Sequence, residues 1–330
     1  MLSRNEINGY FENIASQPAF LNFGTRFEVS NSKPIKSREK ATTHSFQERS
    51  VDKIAGLEGS PSFETILSTI KVLGLSGLLP KLSGVGVEIG SGIGLLSAAI
   101  LSLDKSRKIL GIIAVEASLP FVETGINITR KDILREDKFR LLPCYGSFDS
   151  MGIENDSIDF VIQIEALHHA DSLQPPISES FRILKKGGQF ISIDRSWPDA
   201  TNPDELIQLL DHEYPKSWLV QKGFPSAVPF TRRDNGEHEY LDYQWKSAFQ
   251  AAGFQLQSFT GIHPEIEIWQ LAKRFIGIVG LLKLFSVRIP SRSGVFRALI
   301  FRKFPRICKV LGGQLIVNHP RQLTVSIWTK

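Results

Sequence analysis

GVGVEIGSGIGLLSAAIL, residues 84–101, decides how the rest of the chain is read. Val85, Val87 and Ile89 form an apolar run, and Gly90, Gly92 and Gly94 follow at alternate positions. Leu95, Leu96, Ala98, Ala99 and Ile100 then continue as an apolar helical run. The pattern predicts a buried parallel strand, a glycine turn and a helix N-terminus, where backbone N–H groups can approach a ligand closely. It departs from the dinucleotide fingerprint: G-x-G-x-x-G needs glycine at position 95, where Leu95 stands. An acid, Glu88, sits two residues before the first glycine. A carboxylate at the end of a buried strand is costly without partners. A cationic or amino-bearing ligand would supply them.

Working outward, strands and helices alternate. Strands are predicted over 85–89, 109–115, 139–145, 158–164 and 189–194, with helices over 93–104, 118–135 and 173–185. Alternation at this spacing means βαβ units and a parallel sheet covered on both faces. LKKGG, residues 184–188, reads as a helix C-terminus with cations at the negative end of the dipole and glycine stops. A helix over 62–78, with Ser62 as N-cap, leads into the first strand. Two further strands, 254–260 and 323–329, close the sheet.

The 330 residues suit one large domain or one domain with additions, and 42% hydrophobic against 22% charged residues is an ordinary globular balance. Two cysteines, Cys144 and Cys308, argue against a disulfide framework and for a reducing, cytoplasmic setting. The seven histidines include one close pair, His168 and His169, with no cysteine cluster beside it, so no metal is expected. The first eighteen residues have no apolar core and do not read as a signal peptide.

Charge is unevenly placed. Residues 268–330 carry twelve Lys/Arg and no Asp/Glu, which leaves −7 on residues 1–267 of a chain whose net charge is +5. Within them, 266–312 is an apolar, basic stretch of two helical patterns. Three readings stay open for it: a cap packed on the sheet, an interfacial helix pair on an anionic membrane at the inner face, and a lid whose cations face an anionic acceptor. Its cations are interleaved with aliphatics and form no RNA-reading motif, so nucleic acid is not an expected partner. Oligomeric state is not legible.

Open α/β sheets bind ligands at the carboxyl ends of their strands. Read in turn, these ends present Glu88, Gly90, Ser91, Gly92 and Gly94; then Glu116 and Ala117; then Gly146, Ser147, Phe148 and Asp149; then Glu165, His168 and His169; and last Asp194, Arg195 and Trp197. Glu116, some twenty residues past the glycine turn, is placed to accept the hydroxyls of a ribose, or is a solvated strand-end acid.

This series, in this order, resembles the class I S-adenosylmethionine-dependent methyltransferases over about residues 60–200 and the closing strands. VEIGSGIG (87–94) is similar to the family's first motif, with Glu88 where Asp is more usual. AVE ending at Glu116 matches its ribose-binding acid. NDSIDFVIQIEALHHADS (155–172) and ESFRILKKGGQFISID (179–194) match its fourth strand, the following helix and the fifth strand. The resemblance implies a doubly wound, mostly parallel seven-stranded Rossmann-like sheet with an antiparallel last strand. It also implies S-adenosyl-L-methionine as cofactor, held at Glu88, Gly90, Ser91, Gly92, Gly94, Glu116, Ala117, Ser147, Phe148 and Glu165. The 88–94 turn would take the methionine part, Glu116 the ribose, and Ser147 and Phe148 would flank the adenine. Many relatives have Asp where Ser147 stands, and Asp149 is the alternative partner for the adenine amino group.

A methyltransferase domain over 61–330 is then expected, after an N-terminal arm with helices over 1–60. Insertions at 197–235 (acceptor lid) and 266–312 (basic cap) would interrupt it. In-line methyl transfer needs positioning above all, and a base where the nucleophile is a hydroxyl. His168, His169 and Asp194 are the candidates, each with a structural alternative. Trp197, His238 and Glu239 are candidates for the acceptor, with Tyr214, Trp218, Phe224 and Phe230 as aromatic area in the lid. The expected acceptor is small or lipid-linked, a sugar hydroxyl for preference. Two other classes stay open: a nucleotide-cofactor oxidoreductase on a similar sheet, and a non-catalytic cofactor-binding protein at a membrane.

Overall fold

The computed structural model describes residues 1–24, 63–75, 77–216, 229–262 and 322–330. The glycine-turn stretch folds as its pattern predicts. Strand β2 (Gly84–Ile89) is buried and runs parallel to β3 (Ile109–Glu116) on one side and to β5 (Ile158–Ile164) on the other. Helix α3 (Leu95–Leu103) starts directly after Gly94 and is buried on nearly every side, which explains why its sequence is apolar with little polar face.

With β1 (Leu21–Gly24), β4 (Leu141–Gly146), β6 (Leu184–Ser196), β7 (Gln255–Ile262) and β8 (Gln322–Thr329), the sheet has eight strands in the order β1-β4-β3-β2-β5-β6-β8-β7. Strand β8 is antiparallel to both its neighbours, and the remaining pairs are parallel. The seven expected strands are present and β1 is an eighth. Four residues without alternating polarity carry too little signal to be read as a strand, and pairing with β4 decides the matter. Strand order reverses between β2 and β5, so their carboxyl ends open the crevice where such sheets bind ligands.

Two apolar layers cover the sheet. On one face Ile7 and Phe11 of α1 (Arg4–Glu12), Ile177 and Ile183 of α5 (Gln174–Ile183) and Trp245 and Phe249 of α7 (Asp242–Ala252) pack on Val85, Val87 and Ile113. On the other, Ile66 and Ile70 of α2 (Phe63–Leu75), the body of α3, and Val122 and Ile126 pack on Ile112, Phe160 and Ile191. Trp328 of β8 stacks on Phe249 at 4.4 Å, which ties the C-terminal strand to α7. Ser3 and Glu6 close a reciprocal capping box at the start of α1.

Two elements differ from expectation. The helix predicted over 118–135 is irregular: π-type turns at Phe121–Gly125 and Arg130–Leu134 flank a single α-helical turn, α4 (Ile126–Thr129), and Arg135 at φ 52° ends it. LKKGG is not a helix end. Helix α5 stops at Ile183, Leu184 already pairs with Ile158, and the next pair is Phe160 with Gln189. Residues 185–188 are therefore a bulge in which Lys185 meets Asp159 at 2.9 Å and Gly187 takes φ 79°. The expected N-cap Ser62, the domain boundary at 60/61, part of the 197–235 lid with Trp218 and Phe224, and the whole of 266–312 with Cys308 lie outside the described residues. Among the described residues no helix is long and apolar enough to cross a membrane.

Glu88 illustrates how the sheet treats a buried acid. Its carboxyl is 1% exposed and accepts the Ser97 N–H at 3.0 Å and the Ser97 hydroxyl. The partner expected from a ligand is thus supplied by α3. Burial, which outweighs those two bonds, pushes Glu88 up to about 8, with Glu116 adding repulsion. The folded chain therefore holds a proton that the unfolded chain, at an ordinary 4.5, releases. Stability falls as pH rises between those two values, by at most about 1.4 kcal/mol per pH unit from this group. Asp194 adds to the slope only up to about 6. Between pH 6 and 8, Glu88→Gln is expected to flatten the loss seen by urea unfolding and to be the more stable protein at pH 8. Equal slopes would place the proton elsewhere.

Gly111 carries a second test. A Cβ there would lie 2.2 Å from the Phe11 ring, so α1 docks through the absence of a side chain on β3. Gly111→Ala is expected to cost roughly 1–3 kcal/mol, the scale of overpacking a core. Adding Phe11→Leu should recover part of that in the same denaturation assay.

Candidate functional site

The site is built from five strand ends. After β2, Gly90, Gly92 and Gly94 take φ values of 63°, 54° and 77°, a left-handed region in which side chains are strained. Ser91 N–H binds the Val115 carbonyl at 3.0 Å and Gly94 N–H the Ser91 carbonyl at 2.8 Å, so the turn is braced against β3 and against itself. The three glycines have different surroundings. A Cβ at Gly90 would sit 2.5 Å from Ala166, and one at Gly94 3.2 Å from Leu141, whereas nothing lies within 4 Å of one at Gly92. The middle glycine therefore faces open space, as a cradle for a ligand would.

Glu116, at the end of β3, accepts Gly92 N–H at 2.8 Å and Ser118 N–H at 3.0 Å. The acid and the turn are thus one unit, joined across 24 residues of sequence. Ala117 lies between these two anchors. At the end of β4, Ser147 is buried and its hydroxyl donates to the Asp149 carboxylate, so the two alternatives for the adenine partner are bonded to each other. Phe148 packs at the edge of the core beside them.

At the end of β5, Glu165 takes φ 47° and stands exposed, its N–H bonded to the Ile193 carbonyl at 2.8 Å. The next residues form a short turn, Leu167–His169. His168 is 3% exposed and its Nδ1 lies 2.7 Å from Asp194 Oδ1, on β6. Asp194 also accepts the N–H groups of Leu167 at 3.0 Å, His168 at 3.3 Å and Arg195 at 2.7 Å. Burial pushes Asp194 up to about 6, against the pull of Arg195 and of those N–H groups. His169 lies beside His168 with ring centroids 4.3 Å apart, and its Nδ1 is 3.2 Å from the Gly236 carbonyl oxygen.

Of the three residues expected at the acceptor, two face inward. Trp197 is 3% exposed, and its indole N–H donates to Glu239 at 2.5 Å. The Glu239 side chain is fully buried and paired with Arg232 and, at 3.3 Å, with Arg195. The acceptor role expected for this pair gives way to a structural one. His238 is the exposed member, with Nε2 3.4 Å from Asp171, while its backbone N–H holds the His168 carbonyl at 2.7 Å.

Sequence reasoning missed the centre of this network. Glu237 bonds Arg195 at 2.7 Å, Arg232 at 2.9 Å and Asn235 at 2.9 Å, and it accepts the Tyr214 hydroxyl. Burial alone would raise Glu237, but Arg195, Tyr214 and Asn235 outweigh it and hold the carboxyl down at about 2. The available signal was the spacing in GEHEY: Glu237 and Glu239 alternate with His238. Alternate residues of extended chain share a side. Among the described residues no group of three or more His, Cys, Asp or Glu has the arrangement of a metal site.

Residues 87–192 match the family model described as a methyltransferase domain. Sterol methyltransferase-like 3 of Botryococcus braunii is 27% identical over 248 residues, 70% of this chain and 61% of that protein. The uncharacterized methyltransferase YcgJ of Bacillus subtilis is 25% identical over 125 residues, 38% of this chain and 46% of its own length. The chain thus spans about half to three fifths of these two relatives. Among solved structures, a Haemonchus contortus phosphoethanolamine N-methyltransferase 2, in complex with phosphomonomethylethanolamine and S-adenosylhomocysteine, aligns over 85% of this chain and 56% of that one. Its identity is 14% and the TM-score 0.49. With the motif order, the sheet order and the domain match in agreement, this chain belongs to the class I S-adenosylmethionine-dependent methyltransferases.

Proposed function

We propose that this chain binds S-adenosyl-L-methionine at the 88–94 turn and methylates a hydroxyl of a small or lipid-linked acceptor, with His168 as the base. The observation that carries the reading is the buried His168–Asp194 pair at 2.7 Å, at the carboxyl edge beside the glycine turn. The two parts touch: a Cβ on Gly90 would meet Ala166, two residues before His168.

The residues present fit the cofactor. Gly92 leaves open space above a bare backbone, and Glu116 is held on two N–H groups at the crevice, where it can accept ribose hydroxyls. Ser147, with Asp149, would meet the adenine amino group, and Phe148 its ring. Glu88 acts from beneath, bracing the start of α3 through Ser97. Bound there, the cofactor supplies an activated methyl group whose C–S electron pair returns to sulfur when a nucleophile displaces it in line. The chain's own part is positional and protolytic. With Asp194 on Nδ1, the imidazole is oriented so that Nε2 is the accepting nitrogen. The acceptor O–H bond breaks as its proton passes to His168, and its electron pair forms the new bond to carbon.

A hydroxyl acceptor is favoured over a phosphate-bearing group at this spot, because Arg195 and Arg232 are each already engaged by Glu237 and Glu239. The likeness to sterol methyltransferase-like 3 supports the lipid-linked part of the reading.

Calorimetric titration with S-adenosylhomocysteine, with NAD as control, tests the cofactor. Binding of the first and none of the second is expected; the reverse would move the chain to the oxidoreductase alternative. Glu116→Ala should weaken binding by about 1.5–3 kcal/mol, the scale of hydrogen bonds to a charged group. Gly92→Val should abolish binding while leaving the circular dichroism spectrum in place. Unchanged affinity in both variants would remove the turn from the site. His168→Asn should bind the cofactor normally and lose turnover on a hydroxyl acceptor.

A further inference from the structure

Four charged side chains beside the His168–Asp194 pair have no part in holding cofactor or acceptor as described above, yet all are buried. Arg195 and Arg232 are 4% and 8% exposed, and the Glu237 and Glu239 side chains 6% and 0%. They form a closed square in which each carboxylate meets both guanidinium groups. Replacing such a square by apolar side chains is often neutral or stabilising, so stability is a weak reason for it. Its placement is specific. The strap that carries Glu237 and Glu239 is bonded to the turn that carries His168: His238 N–H to the His168 carbonyl at 2.7 Å, and the Tyr240 hydroxyl to the Ala170 carbonyl at 2.8 Å. Arg195 adjoins Asp194 in sequence and donates its N–H to that carboxylate at 2.7 Å.

We infer that Glu237 and Glu239, fixed by Arg195 and Arg232, are positioning residues that set the proton affinity of His168. The inference rests on the reading of His168 as a base. Around the imidazole stand three buried carboxylates, Asp194, Glu237 and Glu239, against two guanidinium groups, Arg195 and Arg232. A neutral imidazole leaves this group one negative charge in excess, and an imidazolium balances it. In a site closed to water such an imbalance is weakly screened, so the proton taken from an acceptor is stabilised where it lands. The outer groups facing the same turn are Glu165 from β5, His169 and Asp171 from the turn itself, and His238 and Tyr240 from the strap. Glu165, His169, Asp171 and His238 are half or fully exposed, so solvent screens them, and the buried square dominates.

The full chain with 15N-labelled histidine allows the His168 titration to be followed by NMR, with its signals assigned by their loss in His168→Asn. In Glu237→Gln the His168 midpoint is expected to move down by about one pH unit, a tenfold loss of proton affinity. Glu237→Asp, which keeps the charge, should return most of it. Glu239→Gln removes a charge from the same square and carries the test where Glu237→Gln does not fold. S-adenosylhomocysteine affinity should be the same in wild type and variants, which a general loosening of the fold would not leave unchanged. If wild type binds S-adenosylhomocysteine and the midpoint stays within a few tenths of a unit in a folded charge-removing variant, the positioning role is overturned and the reading of the site stands. If wild type does not bind it, the reading of the site fails, and the midpoint alone then decides whether the square controls His168.

Discussion

The structure depends on a reversal of the chain that leaves its backbone bare. Between β2 and α3, five residues turn a buried strand into a buried helix, and three of them hold left-handed angles of 63°, 54° and 77°. Side chains are strained there, so glycine is the residue that permits it. The turn is then used on all sides. Gly90 lets Ala166 approach, Gly94 accommodates Leu141, and Gly92 donates its N–H to Glu116. Strands β2, β3, β4 and β5 are thereby brought to one crevice, and a polar ligand placed there meets a carboxylate and exposed backbone rather than side-chain bulk.

Against this open half stands a closed, charged half. His168, Asp194, Arg195, Arg232, Glu237 and Glu239 are drawn from β5's following turn, β6 and the strap before α7. Burying so many ionic groups is expensive unless each is met by a partner. The partners are present, down to the Tyr214 hydroxyl and the Trp197 indole N–H. The result is a rigid wall with little net field of its own, beside an imidazole oriented by a carboxylate. That combination suits a reaction whose protein-side chemistry is the placing of two groups and the removal of one proton.

Legibility from the sequence followed the range of the interaction. Strand β2 and its turn were visible because apolar alternation and three glycines are local signals, and the alternating elements after them placed β3 to β6 within a few residues. Strand β1 was not visible: four residues become a strand only by pairing with β4. The end of α5 was misplaced for a related reason. Lysines and glycines mark a helix stop and a strand bulge equally well, and the pairing of Leu184 with Ile158 decided between them. Among the site residues, His168 and Asp194 were singled out separately, 26 positions apart, and their bond is a fact of packing. Glu237 passed unnoticed because an acid in a loop resembles any solvated acid until Arg195 and Arg232 close on it.

By itself the sequence determined the class of sheet, the location of the crevice and the identity of the groups at its rim. These follow from periodicity, from glycine's conformational freedom and from the rule that such sheets bind ligands at strand ends. Tertiary structure alone decided which of those groups look into the crevice and which look into the protein. Glu88 turned toward Ser97, Glu239 toward Arg232 and Trp197, and His168 toward Asp194. The reason is physical: the cost of burying a charge is relieved by whatever partner lies within hydrogen-bond reach, and that partner comes from an element distant in the chain.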